Sequence, residues 1–293
     1  MVINKHGSFY LRNGWGTKII DAVNTNNMIF SPYNEQEAID TIGLGRIMIR
    51  ALRYWAVAMG LTKEIKRANG IEHFPTTEFE IINRYDKHFQ KPGSLFILQR
   101  NLALNKDNAT AWYWLFNEWK PQEVSREEFV EYFHSYLLVN GLKVNKAAVE
   151  KEFNCVKNTY ITDKKISIKT IMDEDTLPFF SPLNLVEYGK NKSLKKKSVS
   201  LKELTSGLLI YCIARDNADQ AGRQGQVTID SIVDSKEQVG RYFNLDYSTI
   251  IDGLLEAENA GIIRLNNNFG NRLIEFVDYN YNSLFEQYYV TKR

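Results

Sequence analysis

The most constraining feature of the sequence is a pattern near the C-terminus, where two helical segments precede two short strands. Residues 236–243 predict a helix, and Asp246 is a candidate N-cap for a second helix at 247–260. Gly261 supplies the positive φ that commonly ends a helix. Residues 262–276 then predict a β-hairpin around an asparagine-rich turn. Helix, turn, helix and hairpin in this order is the plan of a winged helix.

A more degenerate copy of this plan lies near the N-terminus. Apolar residues at helical spacing predict three helices, at 15–23, 35–41 and 46–59. Strands that would form the wing are expected at 61–67 and 79–82, and Asn69-Gly70 favours a tight turn after the first of them. The helix at 46–59 takes the place of a recognition helix, so this region is a second candidate winged-helix module.

The middle of the chain predicts further helices from its capping residues. Residues 109–119 are dense in aromatic side chains and follow Asn108, a candidate cap. Ser125 and Ser200 each have a glutamate three residues later, which is the capping-box pattern. Asn145 is a candidate cap for one more helix. The three capped helices are expected to run to residues 138, 216 and 160 respectively.

We therefore predict a mainly α protein with small β-hairpin wings, in which tandem winged helix-turn-helix modules are joined by a helical middle region. The predicted parts are an N-terminal DNA-binding module at 1–90, a helical region at 91–190 and a C-terminal module at 191–293. The polar, lysine-rich stretch at 161–201 is the candidate junction.

Local basic clusters carry the nucleic-acid hypothesis, because the formal net charge is only +2. Arg46, Arg50 and Arg53 have the spacing i, i+4, i+7 and share one stripe of the predicted recognition helix. Arginine on such a helix can contact phosphates or guanine in the major groove. The predicted DNA-binding residues are Arg46, Arg50, Arg53, Lys63, Lys66 and Arg67. The alternative is an ordinary solvated basic face.

The C-terminal module is less suited to DNA. Its second predicted helix carries Asp252, Glu256 and Glu258, which would repel phosphates. Arg264 and Arg272 lie outside that helix. A protein interface is therefore favoured for this module.

Three carboxylates precede the basic helix and form the candidate catalytic site. Glu35, Glu37 and Asp40 are the predicted ligands of Mg²⁺, which could polarise a phosphate and generate hydroxide, with Glu37 and Asp40 as the catalytic pair. The alternative is that acidic residues at a helix start complement the helix dipole. The P-loop, dinucleotide-binding, GxSxG and zinc-protease motifs do not occur in the sequence.

The sequence predicts a cytoplasmic protein outside the membrane. The N-terminal residues are too polar for a secretory signal, and the longest apolar run, 208–214, is far shorter than the ~20 residues that span a bilayer. Cys155 and Cys212 stand apart from each other and from any CxxC pattern. They are expected to be reduced core thiols.

Several aromatic-rich and glycine-rich segments form a distinctive set along most of the chain. They include Gly43-Leu44-Gly45, Arg53-Tyr54-Trp55, Ala109-Thr110-Ala111-Trp112-Tyr113-Trp114, Phe116-Asn117-Glu118 and the segment from Phe153 to Tyr160. This set resembles a bacterial family of about this length that is classed as a domain of unknown function. The family's glycine-turn segment commonly reads Gly-Val-Gly-Lys-Asn-Met. This chain keeps the basic residue and the methionine but has Ile47 in place of the asparagine, which removes an amide that could read a base.

The resemblance implies a role in DNA phosphorothioation. Members of the family are encoded beside a cysteine desulfurase and a sulfotransferase-like ATP pyrophosphatase, and the family includes SspB, the DNA-nicking component of the Ssp antiphage system. The implied function is a DNA-binding subunit of such a defence system that acts as a Mg²⁺-dependent nickase, with DNA and sulfur-transfer proteins as partners. The alternatives are a non-enzymatic winged-helix transcription regulator, a protein-docking adaptor or a structural assembly factor.

Overall fold

The computed structural model describes residues 1–162, 177–217, 227–268, 271–277 and 281–291. It is mainly helical with small antiparallel sheets, as predicted. The chain forms two compact units. Unit 1 contains Met1–Leu115 and Trp119–Lys196, and unit 2 contains Phe116–Glu118 and Lys197–Arg293. The predicted three-part division into 1–90, 91–190 and 191–293 is not tested by this partition and stays a prediction.

Unit 1 begins with three helices and a hairpin. The elements are α1 (Trp15–Thr25), α2 (Glu35–Ile42), α3 (Arg46–Ala58), β1 (Thr62–Arg67) and β2 (Gly70–Pro75). The strands are antiparallel, with Thr62 opposite Pro75 and Arg67 opposite Gly70. Gly70 has φ +135° at the tight turn, where a side chain would be strained. The three predicted helices and the Asn-Gly turn are confirmed.

The second wing strand was expected at 79–82, and that prediction is wrong. These residues lie in α4 (Thr77–Tyr85), and β2 is the strand that pairs with β1. Thr76 caps α4, its hydroxyl accepting a hydrogen bond from the Phe79 amide at 3.2 Å. The capped helix buries Phe79 and Ile82 completely, so the apolar residues that suggest a strand belong to a helical face.

The rest of unit 1 is helical around a three-stranded sheet. Its elements are α5 (Pro92–Leu104), α6 (Thr110–Tyr113), β3 (Glu123–Val124), α7 (Arg126–Val139), α8 (Lys146–Tyr160), β4 (Val186–Tyr188) and β5 (Leu194–Lys196). The sheet order is β3-β5-β4, with both pairs antiparallel. The capping box of Ser125 with Glu128 and the cap of Asn145 on Ala148 are confirmed.

The predicted helix at 109–119 is different in detail. It has four α-helical residues and continues as a π-helical segment, Trp114–Glu118. Asn108 is not its cap, because its side-chain amide donates to the Asn105 side chain instead. A π-helical turn is rare and is not indicated by local sequence patterns.

An aromatic cluster holds α3 in the core of unit 1. Trp55 and Trp112 are both fully buried, and their ring centroids are 5.3 Å apart in an edge-to-face arrangement. The Trp55 indole N–H donates to the Phe9 carbonyl at 3.0 Å. Ile49 and Leu52 are buried on the same helix. Because these residues fix one face of α3, its arginines lie on the other side.

Unit 2 contains the helix and hairpin predicted from the C-terminal pattern. Its elements are α9 (Leu201–Leu204), α10 (Ser206–Asp216), β6 (Val227–Thr228), α11 (Ile229–Asp234), α12 (Val239–Tyr242), α13 (Tyr247–Asn259), β7 (Ile263–Asn268), β8 (Asn271–Phe276) and α14 (Asn282–Val290). Asp246 caps α13, and Gly261 follows it with φ +73°. The sheet order is β6-β8-β7, with Ile263 opposite Phe276. The predicted hairpin after this helix is confirmed.

Two helices of unit 2 differ from the prediction. The expected helix at 200–216 divides at Thr205, which has φ +61° and ψ +148°. The expected helix at 236–243 is limited to α12, preceded by Glu237 at φ +66°. Part of the predicted junction, 163–176, lies outside the described residues. Cys155 and Cys212 are buried free thiols, as predicted. Within the described ranges, no helix is long and apolar enough to cross a membrane.

Candidate nucleic-acid interface

The outer face of α3 presents a cationic stripe beside the β1–β2 hairpin. The side chains of Arg46 and Arg50 are 62% and 67% exposed, and that of Arg53 is 28% exposed. Ile47 lies in the first turn of the helix and is 61% exposed. The structure therefore brings the three predicted arginines to one accessible face.

Glu35 of α2 bridges two of these arginines. One carboxylate oxygen is 2.9 Å from Arg46 Nε, and the other accepts hydrogen bonds from Arg50 Nε and Nη2 at 3.1 and 2.8 Å. Charge-assisted bonds of this kind hold side chains in fixed positions more firmly than neutral ones do. Glu35 thus positions the exposed ends of Arg46 and Arg50.

Arg53 is held by Glu64 of β1 in a two-pronged pair. Its Nε and Nη2 donate to the two carboxylate oxygens at 2.8 and 2.6 Å. Burial would raise the pKa of Glu64, but the hydrogen bond and charge of Arg53, with smaller contributions from Lys66 and from His73 in its protonated form, outweigh it and lower that pKa. Glu64 stays ionised and ties the helix to the hairpin.

His73 of β2 lies beneath this pair. It is fully buried, and its Nδ1 is 2.8 Å from the Thr62 hydroxyl. Its Nε2 is 3.7 Å from Glu64 and has no hydrogen-bond partner among the residues that the structure describes. Burial lowers the pKa of His73 to about 4, helped by Arg53 and opposed by Glu64. The imidazole is therefore neutral at pH 7.

The hairpin adds further positive charge to the face. Lys63 and Lys66 are exposed on β1, and Arg67 is 51% exposed while pairing with Glu72 at 3.1 Å. Three carboxylates, those of Glu35, Glu64 and Glu72, form ion pairs with arginines of this set. Counted over these nine side chains alone, six cations and three carboxylates leave a net charge of +3.

The three predicted metal ligands each have a different partner. Glu35 is bound to two arginines, Glu37 accepts from the Asn26 amide at 3.2 Å, and Asp40 accepts from the Gln36 amide at 3.0 Å. Among the residues that the structure describes, no three His, Cys, Asp or Glu side chains are grouped so that they could hold a metal. Mg²⁺ takes oxygen ligands in near-octahedral geometry and keeps several of its waters, with one or two carboxylates completing the set. The assignment of Glu35, Glu37 and Asp40 to such an ion stays a prediction.

Sequence reasoning did not find the acidic partners of the basic stripe. The pairing of Glu64 and Glu72 with arginine depends on how α3 and β2 pack against β1, and local sequence patterns do not give that packing. A sequence signal was nevertheless present, since alternation along a strand places Glu64 and Lys66 on one side of β1.

The second hairpin region, in unit 2, is acidic where α3 is basic. Asp252 and Glu256 are exposed on α13, and Glu258 accepts a hydrogen bond from the Leu265 amide at 2.7 Å. Arg264 and Arg272 are exposed on β7 and β8, and Arg272 donates to the Tyr247 hydroxyl at 3.1 Å.

Comparison with solved structures shows the same fold in two crystal structures of SspB, one of them bound to magnesium ion. The TM-scores are 0.82 for SspB and 0.81 for the magnesium-bound form, at 21% and 20% sequence identity. In each case the match covers 98% of this chain and 88% of the other. A search of curated proteins gives no match. A model of the family DUF4007, described as a protein of unknown function, matches residues 3–289. Because this match spans nearly the whole chain, the protein belongs to the DUF4007 family.

Proposed function

We propose that this protein is the DNA-binding component of a bacterial antiphage defence system linked to DNA phosphorothioation. The observation that carries the proposal is the exposed stripe of Arg46, Arg50 and Arg53 on α3, next to the lysines of β1. A surplus of positive charge on one face attracts the phosphate backbone and releases its counterions.

In this proposal the segment from α1 to β2 acts as a winged helix. Three helices followed by a hairpin is the element order of that motif, and α3 takes the place of the helix that enters the major groove. The contacts with Glu35 and Glu64 use Nε and Nη2 of Arg50 and Arg53. Within the described ranges, Nη1 of each is left to donate to a phosphate or a guanine.

The link to phosphorothioation is proposed from the likeness to SspB and from family membership. DNA and sulfur-transfer proteins of the same system are the proposed partners, in the cytoplasm. The acidic face of α13 favours a docking role for unit 2 rather than a second DNA contact. A non-enzymatic regulator or adaptor is the alternative, and it would use the same basic face.

Nicking by Glu37 and Asp40 stays a prediction. One of the similar SspB structures holds a magnesium ion, and in the described part of this chain no three His, Cys, Asp or Glu side chains are grouped to hold one. No step of the proposed DNA binding depends on a metal.

The test is duplex affinity as a function of salt concentration. Replacing Arg46, Arg50 and Arg53 together with alanine should weaken binding and reduce the slope of log K against log salt by about one per arginine. The matched control is Arg264→Ala with Arg272→Ala, which should change both quantities less. Circular dichroism melts check that each variant folds. Equal losses in the two sets would mean that α3 is not the DNA face.

A further inference from the structure

A cavity opens on the flank of the basic stripe in unit 1. Its volume is about 570 Å³, within the range of roughly 300–1,000 Å³ that is usual for small-molecule sites. The N-terminal segment forms one wall and α3 another, and Glu64 and Asn108 complete the lining. Arg50 and Arg53 belong to this lining and also to the proposed DNA face.

The cavity is positively charged. Lys5, Arg50 and Arg53 line it with one carboxylate, Glu64, which is already paired with Arg53. Glu35, the partner of Arg50, lines a smaller neighbouring cavity of about 170 Å³ instead. Lys5 is exposed at the N-terminal wall. An anionic group entering here meets cations on two sides.

The other lining residues suit a flat, partly apolar group. Tyr54 is the aromatic side chain of the lining, and Val57 lies one turn further along α3. The Tyr54 hydroxyl donates to the Asn108 carbonyl at 2.9 Å, and its ring packs edge-to-face on Trp55 at 5.0 Å. These contacts fix the ring in place, so it can serve as a rigid surface for a base.

We propose that this cavity binds one nucleotide, with its phosphate against Arg50, Arg53 and Lys5 and its base against Tyr54 and Val57. The proposal rests on the proposed DNA-binding function, because a strand crossing α3 passes the same two arginines. An unpaired nucleotide of that strand then enters the cavity while the rest of the strand stays on the basic face. Extrusion costs least for a base that is already unpaired. A free mononucleotide has the same chemistry and is the other source of the ligand.

The experiment compares two duplexes by fluorescence anisotropy, one fully paired and one with a single extrahelical adenine. The wild-type protein should bind the second at least about fivefold more tightly, which is the lower end of what one base–aromatic stack contributes. Val57→Phe places a larger side chain at the proposed position of the base and narrows the cavity there without changing its charge. It should reduce the preference to less than about twofold and leave paired-duplex affinity unchanged.

Two lysine variants and a mononucleotide complete the design. Lys5→Ala should weaken only the extrahelical duplex, whereas Lys63→Ala, on β1 and outside the cavity, should weaken both duplexes equally. Deoxyadenosine monophosphate, titrated by calorimetry into wild type and Val57→Phe, tests the free source. If the mononucleotide binds to the wild type and not to Val57→Phe, the nucleotide cavity is supported, even if duplex DNA does not bind. A protein that does not bind duplex DNA would contradict the proposed function alone. Two results overturn the inference. One is a wild type that neither prefers the duplex with the extrahelical adenine nor binds the mononucleotide. The other is a preference for that duplex that survives in folded Val57→Phe.

Discussion

The chain contains two regions with helices followed by a hairpin, and they differ in the charge of one exposed helix face and in the space around two particular glycines, Gly45 and Gly240. Arginines line the exposed face of α3, whereas Asp252 and Glu256 are exposed on α13. At Gly45, before α3, a Cβ atom would meet nothing within 4 Å. At Gly240 in α12 it would lie 2.1 Å from the Val233 carbonyl oxygen.

The comparison teaches that element order and binding surface are set by different residues. Buried apolar positions fix the helices and the hairpin in both regions. The exposed residues of α3 and α13 set the charge that each surface presents to a partner. The turn before α3 is open at Gly45. The corresponding turn before α13 follows helices that are packed closely against each other.

The largest effect on stability is expected from adding a methyl group at Gly240. Gly240→Ala places a methyl group against backbone rather than a movable side chain, so we expect about 3 kcal/mol of destabilisation in unit 2. Gly45→Ala is the matched change in the open region, where φ is −66°. It should cost less than about 1 kcal/mol. Thermal melts by circular dichroism measure both, and equal losses would contradict the described packing.

The second prediction concerns how the stability of unit 1 depends on pH. His73 has a pKa of about 4 in the folded protein against 6.5 as an ordinary value, so between these values the unfolded chain binds more protons. Stability from the neutral imidazole is therefore complete above pH 6.5 and is lost as the pH falls to 4. The loss should be about 3 kcal/mol.

Tryptophan fluorescence during urea unfolding reports this loss in unit 1. All five tryptophans and all four histidines belong to that unit by sequence position. His73→Gln removes the titrating group, and its pH dependence subtracts the contribution of the carboxylates, including Glu64. If wild type and His73→Gln lose stability in parallel from pH 6.5 to 4, the imidazole is not held neutral.

The part of the fold that sequence predicts is the part set by local patterns. The helices α1, α3, α8 and α13 follow from apolar spacing and capping residues that lie within a few positions of each other. Local patterns do not predict α5, because that helix is buried almost all round and has no polar stripe to mark it. Its residues Pro92–Leu104 could be read equally as strand or helix.

The candidate site was predictable in its cations and not in its arrangement. The spacing of Arg46, Arg50 and Arg53 gives one stripe, and the structure places all three on one face. Their pairing with Glu35 and Glu64 joins separate elements and depends on packing. The same packing pairs Glu35 with Arg46 and Arg50. The sequence pattern of three nearby carboxylates does not indicate this pairing.

The third prediction tests how these pairs tune DNA affinity. Glu35→Gln removes a negative charge beside Arg46 and Arg50, so duplex affinity should rise about threefold at low salt and the gain should fade at high salt. Glu256→Gln, an exposed change of the same type on α13, should leave the affinity unchanged. Equal gains in both variants would show that only net charge matters, and the contrast between the two regions would lose its functional meaning.

The smallest effect on DNA affinity is expected from Glu37→Gln and Asp40→Asn, because both side chains are exposed and paired with neutral amides. Removing negative charge near phosphates cannot weaken attraction, so duplex affinity should stay the same or rise slightly.

Supercoiled plasmid incubated with Mg²⁺ or Mn²⁺ measures the predicted nicking in the same variants. If Glu37 and Asp40 are catalytic, conversion to open circle requires the metal and disappears in both variants while affinity is kept. Metal-dependent nicking that persists in both would leave Glu37 as a first-turn residue that complements the dipole of α2, and Asp40 without a catalytic role. A wild-type protein that never nicks, alone or with sulfur-transfer partners, would leave DNA binding as the activity of the basic face and favour the adaptor.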